Sequence, residues 1–178
     1  IIDIDGNPAN NPTINERPNS AGHCEWNKYL GDGIVGISAA TFVSVFIPCK
    51  VIHEVGLPYK EFFIWGDDTE YTNRISMKYD SFCVGKSIVK HLRTGGAIDL
   101  VSLKDENRIQ MYKYSIRNNW FNNRQHYFDK KKILINYLWH ISIIYRLFIR
   151  GQFKKIGIVI SGVVEGIKFN PTIKYPEK

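Results

Sequence analysis

Phe62-Phe63-Ile64-Trp65-Gly66-Asp67-Asp68-Thr69-Glu70-Tyr71 is the stretch whose reading decides the fold. An aromatic approach meets a glycine, and three carboxylates then fall within four residues. The unpaired amides of a first helical turn favour acids, so the helix is predicted to start at Asp67-Asp68. Tyr71, Ile75 and Tyr79 follow at four-residue spacing and give that helix an apolar face, with Arg74 and Lys78 on another side. Capping accounts for one acid and a capping interaction for a second. The third is costly unless a cation or a chemical task compensates the repulsion.

Working outward, Pro48 stands where a first helical turn tolerates a missing donor, Cys49 to Val55 makes about two turns, and Gly56 ends them. Upstream, Gly33 to Ile47 is rich in small and β-branched residues and reads as strand with close backbone approach. Asn7 to Gly22, with its asparagines and prolines, reads as an irregular loop. Ile1 to Gly6 reads as a strand entering a turn, without the basic and apolar regions of a secretory signal. It carries no initiator methionine, so the sequence is expected to begin inside a longer protein. Downstream, Ser81 to Val89 is short and β-compatible and ends at Lys90-His91. Tyr112, Ile116 and Trp120 have helical spacing. A further helix is predicted over Lys131 to Ile149 with Gly151 as its stop, and Ile156 to Val164 fits helix or strand equally.

The 178 residues carry a formal charge of +7, and 44% of them are hydrophobic, which excludes a generally disordered chain. Three widely spaced cysteines, Cys24, Cys49 and Cys83, include no close pair and favour reduced thiols in a cytosolic compartment. The charge is local. Eight bases between Arg124 and Lys155 face the single acid Asp129, and the rest of the chain balances. The same region holds Ile133 to Tyr145, thirteen residues without Lys, Arg, Asp or Glu. That run falls short of the roughly 20 residues a crossing requires. Basic flanks around an aromatic and aliphatic helix fit attachment to an anionic membrane surface, and a buried helix with solvated lysine ends fits equally. No nucleic-acid recognition module is visible, so no specific nucleic acid is expected.

The acidic motif with its aromatic prelude, together with Phe46-Ile47-Pro48, Val51-Ile52-His53-Glu54-Val55-Gly56-Leu57-Pro58 and His91, resembles the C-terminal half of a family 2 inverting glycosyltransferase of the GT-A type, close to the rhamnosyl and galactofuranosyl branch. Asp3-Ile4-Asp5-Gly6-Asn7-Pro8 resembles the strand and turn after that family's donor-binding half. The resemblance covers most of residues 1 to 125. It implies an α/β chain carrying an incomplete GT-A fold, with the C-terminal part of the catalytic domain over 1–103 and a mainly helical, basic region over 104–178 for membrane-surface or partner docking.

The implied activity is inverting transfer of rhamnose or galactofuranose from a nucleotide sugar to a glycan or lipid-linked acceptor, as in cell-wall or polysaccharide biosynthesis. The resemblance assigns Asp68 as the catalytic base, with Asp67 the neighbouring candidate because the alignment slips by one at Gly66. A sugar hydroxyl is a weak nucleophile and needs a carboxylate to take its proton. Glu70 would hold an acceptor hydroxyl, and Trp65 would wall the acceptor pocket. Trp26, with His23 and Glu25, belongs to the loop facing donor and acceptor, and Arg93 and Thr94 could face the diphosphate. His91 matches the family's metal ligand for Mn2+ or Mg2+. The nucleotide pocket and its acidic metal motif would lie in an N-terminal half absent from this sequence. The place of work would be cytoplasmic, peripheral to the inner face of the cell membrane. The alternative is a non-catalytic membrane-surface or partner-binding module on a truncated glycosyltransferase scaffold.

Overall fold

The structure, a computed structural model, describes residues 1–14, 28–92, 99–125 and 130–177, with side chains left out at 130–132. It is a mixed α/β chain with a small antiparallel sheet and five α-helices among the described residues. Two compact units emerge: Ile1–Tyr59 with Asp68–Gly95 and Ile173–Lys178, and Lys60–Asp67 with Gly96–Thr172. The aromatic stretch Lys60–Asp67 groups with the C-terminal helices, and the last six residues group with the N-terminal unit.

In the first unit, β1 (Thr13–Ile14), β2 (Ile34–Ala39) and β3 (Phe82–Val84) pair antiparallel in that order. Strand β3 is shorter than the Ser81 to Val89 segment that suggested it, β1 falls inside the stretch read as an irregular loop, and the strand expected over Ile1 to Gly6 is reduced to isolated bridges at Ile2. Helix α1 spans Cys49–Val55; Pro48 caps it in extended conformation, and Gly56 closes it at φ 81° with its N–H on the Ile52 carbonyl. A side chain at Gly56 would collide with Ile173, 2.3 Å from an added Cβ. Helix α2 spans Asp67–Ser76 and buries Tyr71 and Ile75 against Val55. Two hydroxyls on its buried face are satisfied by backbone. The Tyr71 hydroxyl donates to the Gly56 carbonyl at 2.8 Å, and the Ser76 hydroxyl donates to the Ser38 carbonyl of β2 at 2.6 Å.

In the second unit, Asp105 accepts the Arg108 amide at 3.1 Å and starts α3 (Glu106–Gln125), a run without proline or glycine. Helices α4 (Lys130–Phe148) and α5 (Phe153–Lys168) follow; the segment open to either reading at Ile156–Val164 is helical. Ile109, Tyr112 and Ile116 of α3, Ile143 and Leu147 of α4 and Val159 of α5 form the core with Leu100 and Val101. Two glycines let α5 approach α3 closely. A Cβ at Gly162 would lie 2.8 Å from Ile116 Cβ, and one at Gly166 would lie 2.6 Å from Trp120 Cβ. Lys155 is no solvated lysine: its ammonium donates to the Leu100 and Leu103 carbonyls at 2.8 and 2.6 Å.

Helix α4 turns two polar side chains, Asn136 and His140, inward. His140 Nδ1–H donates to the Asn136 carbonyl at 2.6 Å, while Nε2 is buried without a partner among the described residues. Burial outweighs that hydrogen bond and lowers the imidazole pKa below its ordinary 6.5.

Gly157 has open space around it, so Gly157→Ala should gain up to about 1 kcal/mol of helix propensity. Gly166→Ala should instead lose about 1–2 kcal/mol, because overpacking against Trp120 outweighs the same gain. Urea unfolding of the two variants checks the opposite signs. The depressed His140 pKa favours the neutral folded form, so its contribution is complete above about pH 6.5 and is lost as pH falls through the lower folded value. Unfolding midpoints should drop from pH 7 to 5, and His140→Asn should flatten that slope.

Candidate functional site

The aromatic stretch before α2 adopts an unusual backbone. Phe63 and Trp65 both take φ 61° and Gly66 takes φ 85°, so three residues in four are left-handed, two of them bulky. Such conformations cost on the order of 1–3 kcal/mol each and persist only where surroundings fix them. Here the surroundings are two asparagines of α3. Asn118, fully buried, donates from Nδ2 to the carbonyls of Phe62, Ile64 and Trp65 at 2.9, 3.0 and 2.8 Å. Asn122 donates to the Gly66 carbonyl at 2.9 Å. Arg117 reaches the Glu61 carbonyl and supplies Nε–H to Asn118 Oδ1 at 3.0 Å, which orients the amide. The Phe62 ring packs on Phe121 and Phe169 at 5.6 and 5.7 Å, the Phe63 ring on Tyr114 at 5.3 Å, and the Trp65 ring edge-on to Tyr112 at 6.3 Å.

This loop delivers the chain to Asp67, the first residue of α2, and both Asp67 and Asp68 are half-buried. Asp68 Oδ1 accepts the Thr69 amide at 2.7 Å, and the Asp68 carbonyl accepts the Thr72 hydroxyl at 2.7 Å. Thr72 also pairs with the Ala40 backbone after β2, with its oxygen 3.0 Å from the Ala40 nitrogen and 3.2 Å from the carbonyl. The first turn of α2 is thus tied to the sheet of its own unit.

Glu70 does not fit an acceptor-binding role. Its side chain is 2% exposed, and both carboxylate oxygens bond Arg74, at 3.1 and 3.0 Å. Arg74 in turn donates to the Val55 and Leu57 carbonyls at 2.8 and 3.1 Å and lies over the Tyr59 and Tyr71 rings. The pair fastens the end of α1 to α2, and the third acid is compensated by a cation inside the fold.

His91 is held by the N-terminal segment. Its amide donates to the Ile2 carbonyl at 2.8 Å, and its Nδ1 lies 2.8 Å from the Asn10 side-chain amide. Asn10 itself is left-handed at φ 48°. Asp3 builds the preceding turn: its Oδ1 accepts the amides of Asn7 and Asp5 at 2.8 and 2.9 Å, and the Asn7 amide foremost holds its carboxyl below the usual range. The Asp3-Ile4-Asp5 spelling is therefore structural. Trp26, His23, Glu25, Arg93 and Thr94 lie outside the described residues.

Among the described residues no three His, Cys, Asp or Glu side chains come together as a metal-ligating group. His91 next to a neutral amide does not by itself fit Mn2+ or Mg2+, which prefer several oxygen ligands. The first unit also encloses a largely apolar cavity of about 580 Å³ whose wall includes Asn10, Phe46, Thr72 and Ile75. Neither Asp67, Asp68 nor His91 lines it.

The two asparagines were missed by sequence reasoning. Their signal was present: Asn118 and Asn122 stand four apart, on one face of a helix that the apolar spacing had already identified. Comparison with family models, curated proteins and solved structures returns no match at all for this chain.

Asn118→Asp keeps the shape but replaces the donor with a carboxylate facing three carbonyls. Stability should fall by about 3 kcal/mol or more, read as a lower urea midpoint. Asn119→Asp, one residue further on, should change it by no more than about 0.5 kcal/mol.

Proposed function

We propose that the chain is the acceptor-side part of an inverting glycosyltransferase with a GT-A type catalytic domain, in which Asp68 is the base. The observation that carries this reading is the left-handed Phe63, Trp65 and Gly66 backbone, fixed by Asn118 and Asn122, directly before two half-buried acids. A purely structural helix start does not require bulky residues at positive φ. Strain stored beside acids is a feature of functional sites.

In the proposed step, a sugar hydroxyl of the acceptor attacks the anomeric carbon of a nucleotide-linked sugar. The new glycosidic C–O bond forms as the bond to the diphosphate oxygen breaks. The diphosphate leaves with the electron pair, and the hydroxyl proton passes to a carboxylate oxygen of Asp68. A single base suffices, since the leaving group needs charge stabilisation more than protonation. The helical position of Asp68 supports this role, because the Thr69 amide on Oδ1 and the Thr72 clamp on the turn hold the carboxylate in place. Asp67, one residue earlier, is the second candidate. Rhamnose is the favoured donor sugar, followed by galactofuranose, with a glycan or lipid-linked acceptor. The nucleotide pocket is assigned to residues outside these 178. His91, with the neutral amide of Asn10 beside it, does not by itself supply a divalent-cation site.

A non-catalytic surface-binding module is the competing reading, favoured by the exposed apolar face of α4. It expects vesicle binding with no turnover of any nucleotide sugar.

With the donor-binding half present, Asp68→Asn should lower transfer by about 10²- to 10⁴-fold while leaving nucleotide-sugar affinity unchanged. Radiolabelled sugar incorporation and equilibrium dialysis separate the two quantities. Turnover within a few-fold of the parent would remove Asp68 from the mechanism.

A further inference from the structure

Helix α4 is inside out. Its buried side contains Asn136 and His140, 8% and 3% exposed, beside Ile143 and Leu147. Its outer side carries Leu134, Leu138, Ile141, Tyr145 and Phe148, spaced four, three, four and three apart and 47–65% exposed. That spacing places all five on one stripe, and at about 1.5 Å per residue the stripe runs roughly 21 Å. Tyr137, also exposed, flanks it, whereas Trp139 lies well round the helix from it, against the His140 ring. An ordinary surface helix buries its apolar stripe; this one presents it.

We infer that the outer face of α4 docks on an anionic membrane surface, with the helix lying in the interface. Charge decides between occupants. The helix carries Lys130, Lys131 and Lys132 and no acid, Arg150 and Lys154 follow just beyond it, and its remaining base, Arg146, is already paired with Asp99 at 3.2 Å. A second copy packed along the stripe would set bases against bases, with no acid on α4 to answer them. Anionic headgroups answer that charge, and tyrosine rings favour the headgroup level. No helix among the described residues is long and apolar enough to cross a membrane, so the contact is with the surface. Docking rests on α4 alone and stands independently of whether Asp68 transfers a sugar.

The test is flotation of the 178-residue chain with vesicles. Phosphatidylcholine vesicles containing about 30% phosphatidylglycerol should bind it about tenfold or more tightly than phosphatidylcholine alone, and about 0.5 M salt should release much of it. Leu138→Ser with Tyr145→Ser should abolish binding while circular dichroism stays unchanged. Should that variant not fold, brominated anionic lipid should quench the tryptophan emission of a Leu138→Trp variant more strongly than that of the unaltered chain. Absence of vesicle binding, equal binding to neutral vesicles, or a Leu138→Trp emission quenched no more than that of the unaltered chain would overturn the proposal. Self-association that the serine variant disrupts, without vesicle binding, would make a second copy the occupant instead.

Discussion

A buried amide with more carbonyls to serve than any neighbour holds the candidate site together. A left-handed backbone at Phe63, Trp65 and Gly66 turns successive carbonyls toward α3, where water is excluded. The Phe62 carbonyl also accepts the Ile64 amide at 2.7 Å, and side chains of α3 supply further donors to the set. Asn118 answers three and Asn122 a fourth. Serine is too short to span that set, and aspartate lacks the protons. The conformation and the side chain that stabilises it therefore depend on each other.

The helical unit shows a second departure from ordinary patterning. Its interior admits Asn136, His140 and Asn118, whereas large apolar side chains of α4 stand outside. Buried polar groups are tolerable when paired; Asn118 is, but His140 Nε2 and Asn136 Nδ2 have no partner among the described residues. The helix is thus less favourably buried on its inner side than its composition allows. Its outer side has more to gain from an apolar contact, and hydrophobic patterning read without the fold assigns the wrong face to the core.

Much of the fold was legible because local rules suffice for it. Pro48 and Gly56 bracket α1 through backbone chemistry alone. The acids of Asp67-Asp68 and the four-residue spacing of Tyr71 and Ile75 mark the start and the face of α2. The type of α5 was not legible, since Gly157 and Gly162 lower helix propensity while their actual use, close approach to α3 at Gly162, is a tertiary fact. Beyond its four-residue spacing from Asn122, the role of Asn118 was not legible, for a related reason. An asparagine on a polar helix reads as solvent-facing, and only the strained backbone opposite it explains its burial. The sequence likewise has no sign that Lys60–Asp67 groups with the helices.

The fate of Glu70 changes the force of the acidic motif. Three carboxylates in four residues suggested a chemical task because repulsion among them needs compensation. Arg74 compensates one of them fully within the first unit, with both oxygens bonded and the guanidinium tied to Val55 and Leu57. The remaining pair, Asp67 and Asp68, sits at a helix N-terminus, where unpaired amides favour negative charge. Charge density alone therefore no longer argues for catalysis. The argument passes to geometry: a helix start needs acids but has no need of Phe63 and Trp65 at positive φ, nor of two interior asparagines to keep them there. That excess of structure before the acids, rather than their number, is what the role proposed for this turn rests on.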